Sequence, residues 1–257
     1  MTLTLMGFLA SLAAGLMTAA GALPVLFGRT VPQKYGDTML GFAAGVMLSA
    51  SYFSLILPGI EAGERLYGST VAAAFMAAAG ILVGAGAIAA LNAVVPHRHF
   101  VSGPEGADTT ALPKIWLFVF AITIHNFPEG LAVGVGFGGG DIQNGVSLAT
   151  GIGLQNAPEG LAVAVALRAH GYGAPYAFAV ALVTGLIEPV GGLLGVSAVQ
   201  MSLHVLPPGL TFAAGAMLYI ISHEIVPETH RHGHQASATM GLMAGLVLMM
   251  LLDVILG

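Results

Sequence analysis

AITIHNFPEGLAVGVGFGGGDIQNGVSLATGIGLQNAPEGLAVAVAL, residues 121–167, carries one motif twice. IHNFPEGLAVGV, Ile124 to Val135, returns thirty residues later as LQNAPEGLAVAV, Leu154 to Val165. Each copy lies in an apolar run long enough to cross a bilayer, and each places a glutamate there, Glu129 and Glu159. Insertion scales put a carboxylate at that depth at about 2.5–3.5 kcal/mol, so two of them on neighbouring helices call for one shared partner. Four-residue spacing sets His125 above Glu129 on one helix face, with Asn126 beside them; Gln155, Asn156 and Glu159 repeat the arrangement. Pro128 and Pro158 predict a kink in each helix, because proline lacks an N–H and clashes with the carbonyl four residues back, at Ile124 and Leu154. Imidazole, amide oxygen and carboxylate on such a face suit a borderline divalent cation such as zinc. The alternative use of the same residues is a hydrogen-bonded lock between two helices.

Composition sets the class. With 56% apolar and 7% charged residues and a mean hydropathy of +0.89, the chain reads as an all-α polytopic membrane protein, a single transporter-like domain over 1–257. It has no cysteine, which excludes disulfides and thiolate metal sites. The opening MTLTLMGFLASLAAG has no basic n-region and reads as a retained first helix. Eight spans are expected, at about 3–27, 37–60, 68–95, 113–137, 144–169, 174–200, 207–229 and 237–256. Arg29, Lys34, Arg98, Lys114, Arg168 and Arg231 all fall on one side and only Arg65 on the other. That bias puts the odd-to-even loops in the cytoplasm and both termini outside. The longest polar stretch, 96–112, becomes a mobile cytoplasmic loop holding His97 and His99.

Outside the motif, polar residues are few. Ser49, Ser51 and Ser54 either line a path or bond back to their own helix. Glu61 and Glu64 read as a solvated outer loop, and Asp253 as a solvated residue near the outer end of the last span. Glu188, before Pro189 in mid-span, repeats the pairing of carboxylate and helix break and makes a third core glutamate. In the seventh span His223, Glu224 and Glu228 form a polar face that looks like an exit, followed by His230, His232 and His234, which either receive or sense metal on the cytoplasmic side or form an exposed polar tail.

The motif copies stand on consecutive spans joined by a short turn, so their chain directions are opposed. The same reading order on antiparallel helices needs a two-fold axis in the membrane plane, the inverted symmetry of many secondary transporters. At these two Pro-Glu-Gly motifs the chain resembles the ZIP (Zrt/Irt-like) family of divalent metal transporters, and within it the GufA-like branch. The resemblance implies eight helices, the first three and last three related by inversion around helices 4 and 5. It implies a transport site of His125, Asn126, Glu129, Gln155, Asn156, Glu159 and Glu188, divided into two neighbouring metal positions. His125, Glu129, Gln155 and Glu159 hold one, and Asn126, Asn156, Glu188 and the shared glutamates hold the other. Some relatives carry aspartate where this chain has Asn156, which leaves the second position one charge short.

The function expected is therefore uptake of divalent metal into the cytoplasm, zinc foremost, with iron, manganese, cobalt and cadmium compatible with the same ligands. The metal is cargo; no cofactor and no enzymatic activity are expected. An intramembrane zinc protease would need HExxH, and Pro227 stands where the second histidine belongs. A proton or sodium carrier would have no use for His125 and Gln155. The expected partners are the metal ion and the lipid bilayer, with room for a homodimer and no nucleic acid, in a bacterial inner membrane.

Overall fold

Helices that are apolar on every face have lipid as their only adequate solvent, and seven helices of the computed structural model are long and apolar enough to cross a membrane. The structure describes residues 1–28, 32–94, 97–99, 103–105, 114–230 and 233–256. The expected positions of Arg29, Arg231 and His232 and most of the 96–112 loop lie outside them. The helices are α1 (Leu3–Leu26), α2 (Gln33–Tyr67), α3 (Thr70–Val94), α4 (Lys114–Gly138), α6 (Ala174–Met201), α7 (Leu203–His230) and α8 (Gln235–Leu256). The eighth, α5 (Ile142–Ala169), is just as long, but Gln143, Asn144, Gln155, Asn156 and Glu159 lower its hydropathy below that of its neighbours. It packs on α1, α2, α4 and α6, so it shares their depth. Within the 96–112 loop, His97–His99 and Gly103–Glu105 form a short antiparallel pair, β1 and β2.

Local signals place the ends. Thr2 caps α1 by accepting the N–H of Leu5, and Asp141 caps α5 by accepting that of Asn144 at 3.1 Å. Gly140, at φ 85°, makes the tight turn that brings α5 back against α4. α2 runs on to Tyr67, so Glu61 and Glu64 lie on helix and not in the loop expected for them. α4 and α5 run through Pro128 and Pro158 as continuous helix, whereas α6 divides at Gly185 and restarts at Glu188, the break expected beside that carboxylate, with Pro189 in the first turn where a missing N–H costs nothing.

Inversion runs through the whole packing. α2 lies along α8 as α3 lies along α7, and α1 lies along α5 as α4 lies along α6. Residues 170 apart correspond between α1 and α6: GLMTAAG, from Gly15, matches GLIEPVG, from Gly185, and these two glycines cross backbone to backbone. A Cβ on Gly160 of α5 would overlap the Thr18 carbonyl, and one on Gly130 of α4 the Glu188 carbonyl. The same spacing links α2 to α7, where FAAGVML from Phe42 matches FAAGAML from Phe212. There Gly45 abuts Leu242 and Gly215 abuts Ile81. Small residues at these crossings let backbones meet, which is how helices pack where lipid removes the hydrophobic drive. Both α2 and α7 then widen into a π turn, Ser51–Ile56 and Ile221–Ile225, each ending just before a proline, Pro58 and Pro227. The spacing shortens by one residue across that turn, as expected where a single-residue insertion has been absorbed as a bulge.

Candidate metal site

All seven residues expected at the site are buried, and the inversion brings them together. His125, Asn126 and Glu129 descend one face of α4; Gln155, Asn156 and Glu159 descend the facing side of α5. Glu188 joins them from the restart of α6, where a carboxylate in the first turn also meets the positive end of that helix. By symmetry Glu129 corresponds to Glu159, Asn126 to Asn156 and His125 to Gln155, but Glu188 corresponds to Thr18. One half of the pseudo-symmetric site is therefore more acidic than the other.

Two of the three amides, Gln155 and Asn156, are used as braces, while both side-chain atoms of Asn126 have no hydrogen-bond partner. Gln155 Nε2 donates to Glu129 Oε1 at 2.7 Å, linking the two motif helices. Asn156 Nδ2 donates to Glu188 Oε1 at 2.6 Å and to the Ala14 carbonyl at 2.8 Å, tying α5 to α6 and α1. His125 Nε2 lies 2.5 Å from Glu224 Oε2, and the other Glu224 oxygen accepts from Asn92 Nδ2 at 3.1 Å. Glu224 and Asn92 were not expected here. The repeat from Phe42 and Phe212 carries the signal for Glu224, since it marks the π turn in which Glu224 sits.

What remains is a set of buried acceptors with no protein donor. His125 Nδ1, Asn126 Oδ1, Gln155 Oε1 and Asn156 Oδ1 are unpartnered, as are one oxygen each of Glu129 and Glu188 and both oxygens of Glu159. Buried acceptors in this number are costly unless something outside the protein meets them. Among the described residues no three His, Asp or Glu side chains converge on a single point as they stand. Gln155 is bonded to Glu129, and Glu224 to His125.

A cleft of about 220 Å³ lies between α2 and α5, and none of the seven site residues lines it. It begins at Pro158, one residue from Glu159, passes Met39, Leu161 and Val165, and reaches Gln33, His170 and Glu228 at the end opposite the termini. Beyond it His234 Nδ1 lies 2.8 Å from Asp37 Oδ2, while His230 Nδ1 lies 2.8 Å from the Val226 carbonyl of its own helix. The histidine tract is thus a structural element at one described position and a helix cap at another. The three serines of α2 also part ways: Ser51 bonds back to the Met47 carbonyl, Ser54 donates to Asp253 at 2.6 Å, and Ser49 Oγ has no partner. Asp253 is accordingly not the solvated end residue expected of it; it is partly buried and also accepts from Ser147 at 2.8 Å.

The family model described as ZIP Zinc transporter matches residues 102–253, which take in both motifs, Glu188 and Glu224. The chain belongs to the ZIP family. Its ZIP relatives include "Zinc transporter GufA" of Myxococcus xanthus, 47% identical over 98% of this chain and 99% of that protein. "Zinc transporter ZIPB" of Bordetella bronchiseptica is 46% identical over 93% of this chain and 78% of that protein. "Zinc transporter ZIP11" of Homo sapiens is 34% identical over 94% of each. The resemblance to the GufA-like branch of the ZIP family, taken from the two motifs, is borne out.

Proposed function

We propose that this ZIP protein carries divalent metal cations, zinc foremost, across the cell membrane into the cytoplasm, with His125, Asn126, Glu129, Gln155, Asn156, Glu159 and Glu188 as the midplane ligands. The observation that carries the reading is the set of buried, unpartnered acceptors around three carboxylates. Three carboxylates against one or two dications nearly balance charge, so cargo offsets their desolvation. Oxygen and imidazole donors without thiolate suit zinc and its neighbours and set no absolute preference among them. Two positions are supported by the division of the amides: Gln155 braces the side near His125, and Asn156 braces the side near Glu188. Entry of metal releases the carboxylates from these amides and the imidazole from Glu224.

The cleft from Pro158 to Gln33, His170 and Glu228 marks the cytoplasmic end in this assignment, because the basic residues cluster there, and the bond from His125 to Glu224 closes that side between the cleft and the site. Both termini then face outward, in a bacterial inner membrane. Phe75, Leu82 and Val83 on α3 and Met240 and Val247 on α8 present apolar faces that fit lipid or, in a homodimer, a second copy. Inverted repeats around a midplane site suit alternating access, in which each half opens in turn.

The deciding experiment is radiometal uptake into proteoliposomes with competing cations. Zinc-dependent uptake that is lost in Glu129→Ala and Glu159→Ala supports the assignment. Flux of protons or sodium without metal would replace it with the carrier alternative.

A further inference from the structure

Two groups of helices can be separated by their contacts: α2, α3, α7 and α8 pack pairwise on one another, and α1, α4, α5 and α6 do the same. Where α2 meets α5 and α4 meets α7 the filling is largely apolar, with Val46, Ala50, Val133, Leu148, Ala213 and Met217 among it. Among the described residues, two clusters of polar bonds cross that boundary. On the cytoplasmic half, His125 of α4 meets Glu224 of α7, which Asn92 of α3 holds from behind. On the outer half, Ser147 of α5 donates to Asp253 of α8, whose same oxygen also accepts from Ser54 in the π turn of α2. Asn144 of α5 adds a bond to the Ser54 carbonyl at 3.2 Å.

These two clusters are inversion mates. Asp253 of α8 stands where Asn92 stands in α3, 161 residues earlier, in the register that also pairs Leu242 with Ile81. Ser54 stands where Glu224 stands, 170 residues later. The acid and the neutral partner have changed places: acid on the π turn and amide on the outer helix in one half, hydroxyl on the π turn and acid on the outer helix in the other. In each half one carboxylate bridges a π turn, a flanking helix and a helix of the motif pair.

We infer that Asp253, with Ser54 and Ser147, is the outer latch of the transport cycle: its carboxylate holds the outer half shut, as Glu224 with Asn92 and His125 holds the cytoplasmic half. The inference rests on alternating access as the transport mode. Asp253 belongs to neither proposed metal position, so its role is to set which side is open, acting through α2 and α5 upon the site. Removing one bond of a latch shifts a two-state equilibrium by roughly two- to tenfold towards the open form.

The absence of cysteine makes this directly measurable. A single Leu148→Cys, at a fully buried position beside Ser147, reports opening of the outer half by its labelling rate with a membrane-impermeant maleimide in oriented vesicles. Ser147→Ala, Ser54→Ala and Asp253→Asn, each placed in that background, are expected to raise the rate of labelling from outside about two- to tenfold, with the zinc dissociation constant within about twofold of the parent's. Asn92→Ala is expected to leave outside labelling no faster. A thermal melt of each protein separates opening from unfolding, and Ser147→Ala, the smallest change, keeps the test decisive if Asp253→Asn is poorly folded. Unchanged labelling in folded variants overturns the latch. Unchanged labelling with a large loss of zinc affinity overturns it too and makes Asp253 a metal ligand, while loss of zinc binding in the parent would count against the proposed function instead.

Discussion

At the scale of single residues, the two motif glutamates are not interchangeable. Glu129 has one oxygen committed to Gln155, while both oxygens of Glu159 await a partner. Glu129→Ala and Glu159→Ala are each expected to cut uptake by at least about tenfold, consistent with loss of a charged ligand. The loss should be accompanied by an unchanged or raised melting temperature in the absence of metal, since a buried charge has gone. Asn156 sits between Glu188 and the Ala14 carbonyl as a donor to both, so Asn156→Asp replaces two attractive bonds with repulsion. The metal-free protein should lose about 1–3 kcal/mol. Zinc should restore that stability and bind with raised occupancy, read by thermal melts with and without metal and by metal counted per protein. His234→Ala leaves buried Asp37 with one donor fewer and is expected to cost about 1–3 kcal/mol while leaving metal selectivity intact. A change in metal preference in that variant would tie the tract to the midplane site.

At the scale of elements, glycine and proline decide more than apolar bulk does. Where Gly15 and Gly185 cross, a Cβ on either would run into the other's carbonyl, so the spacing of α1 and α6 is set by backbone atoms. Gly15→Val or Gly185→Val must push the two helices apart and drag Glu188, three residues beyond Gly185, away from Asn156. Uptake is expected to fall with either substitution, and the melting temperature with it by the equivalent of about 1–3 kcal/mol. Gly86, where an added Cβ would meet nothing, should accept alanine and serves as the control. The prolines show why element breaks were only partly legible in the sequence. Proline can sit inside a helix, as at Pro128 and Pro158, or can start one, as at Pro189. Only the packing around each tells which.

At the scale of the molecule, the fold was legible because its strongest repeat lies in two adjacent spans. Twelve residues of nearly identical text at Ile124 and Leu154 expose both the inversion and the ligands. The rest of the symmetry is written faintly: GLMTAAG and GLIEPVG share the glycines that pack and differ in the residues that bind, Thr18 against Glu188. Asn92 and Asp253 escape the sequence altogether, since they correspond in place and not in type. Asp253 was read as solvated from its position near the end of its span, yet Ser54 and Ser147 reach it from helices distant in the chain.

The polar character of α5 has a cost that falls before the protein is complete. This helix alone lacks the apolarity of the other seven, and it buries Ser147, Gln155, Asn156 and Glu159. A segment of that kind partitions poorly into lipid from the insertion machinery by itself. α4 emerges immediately ahead of it, joined by a turn of a few residues, and already displays Glu129 towards the position Gln155 will take. Biogenesis therefore favours entry of α4 and α5 as one hairpin, and lengthening the turn at Gly140 should strand α5 outside the bilayer even though every ligand of the finished site is unchanged.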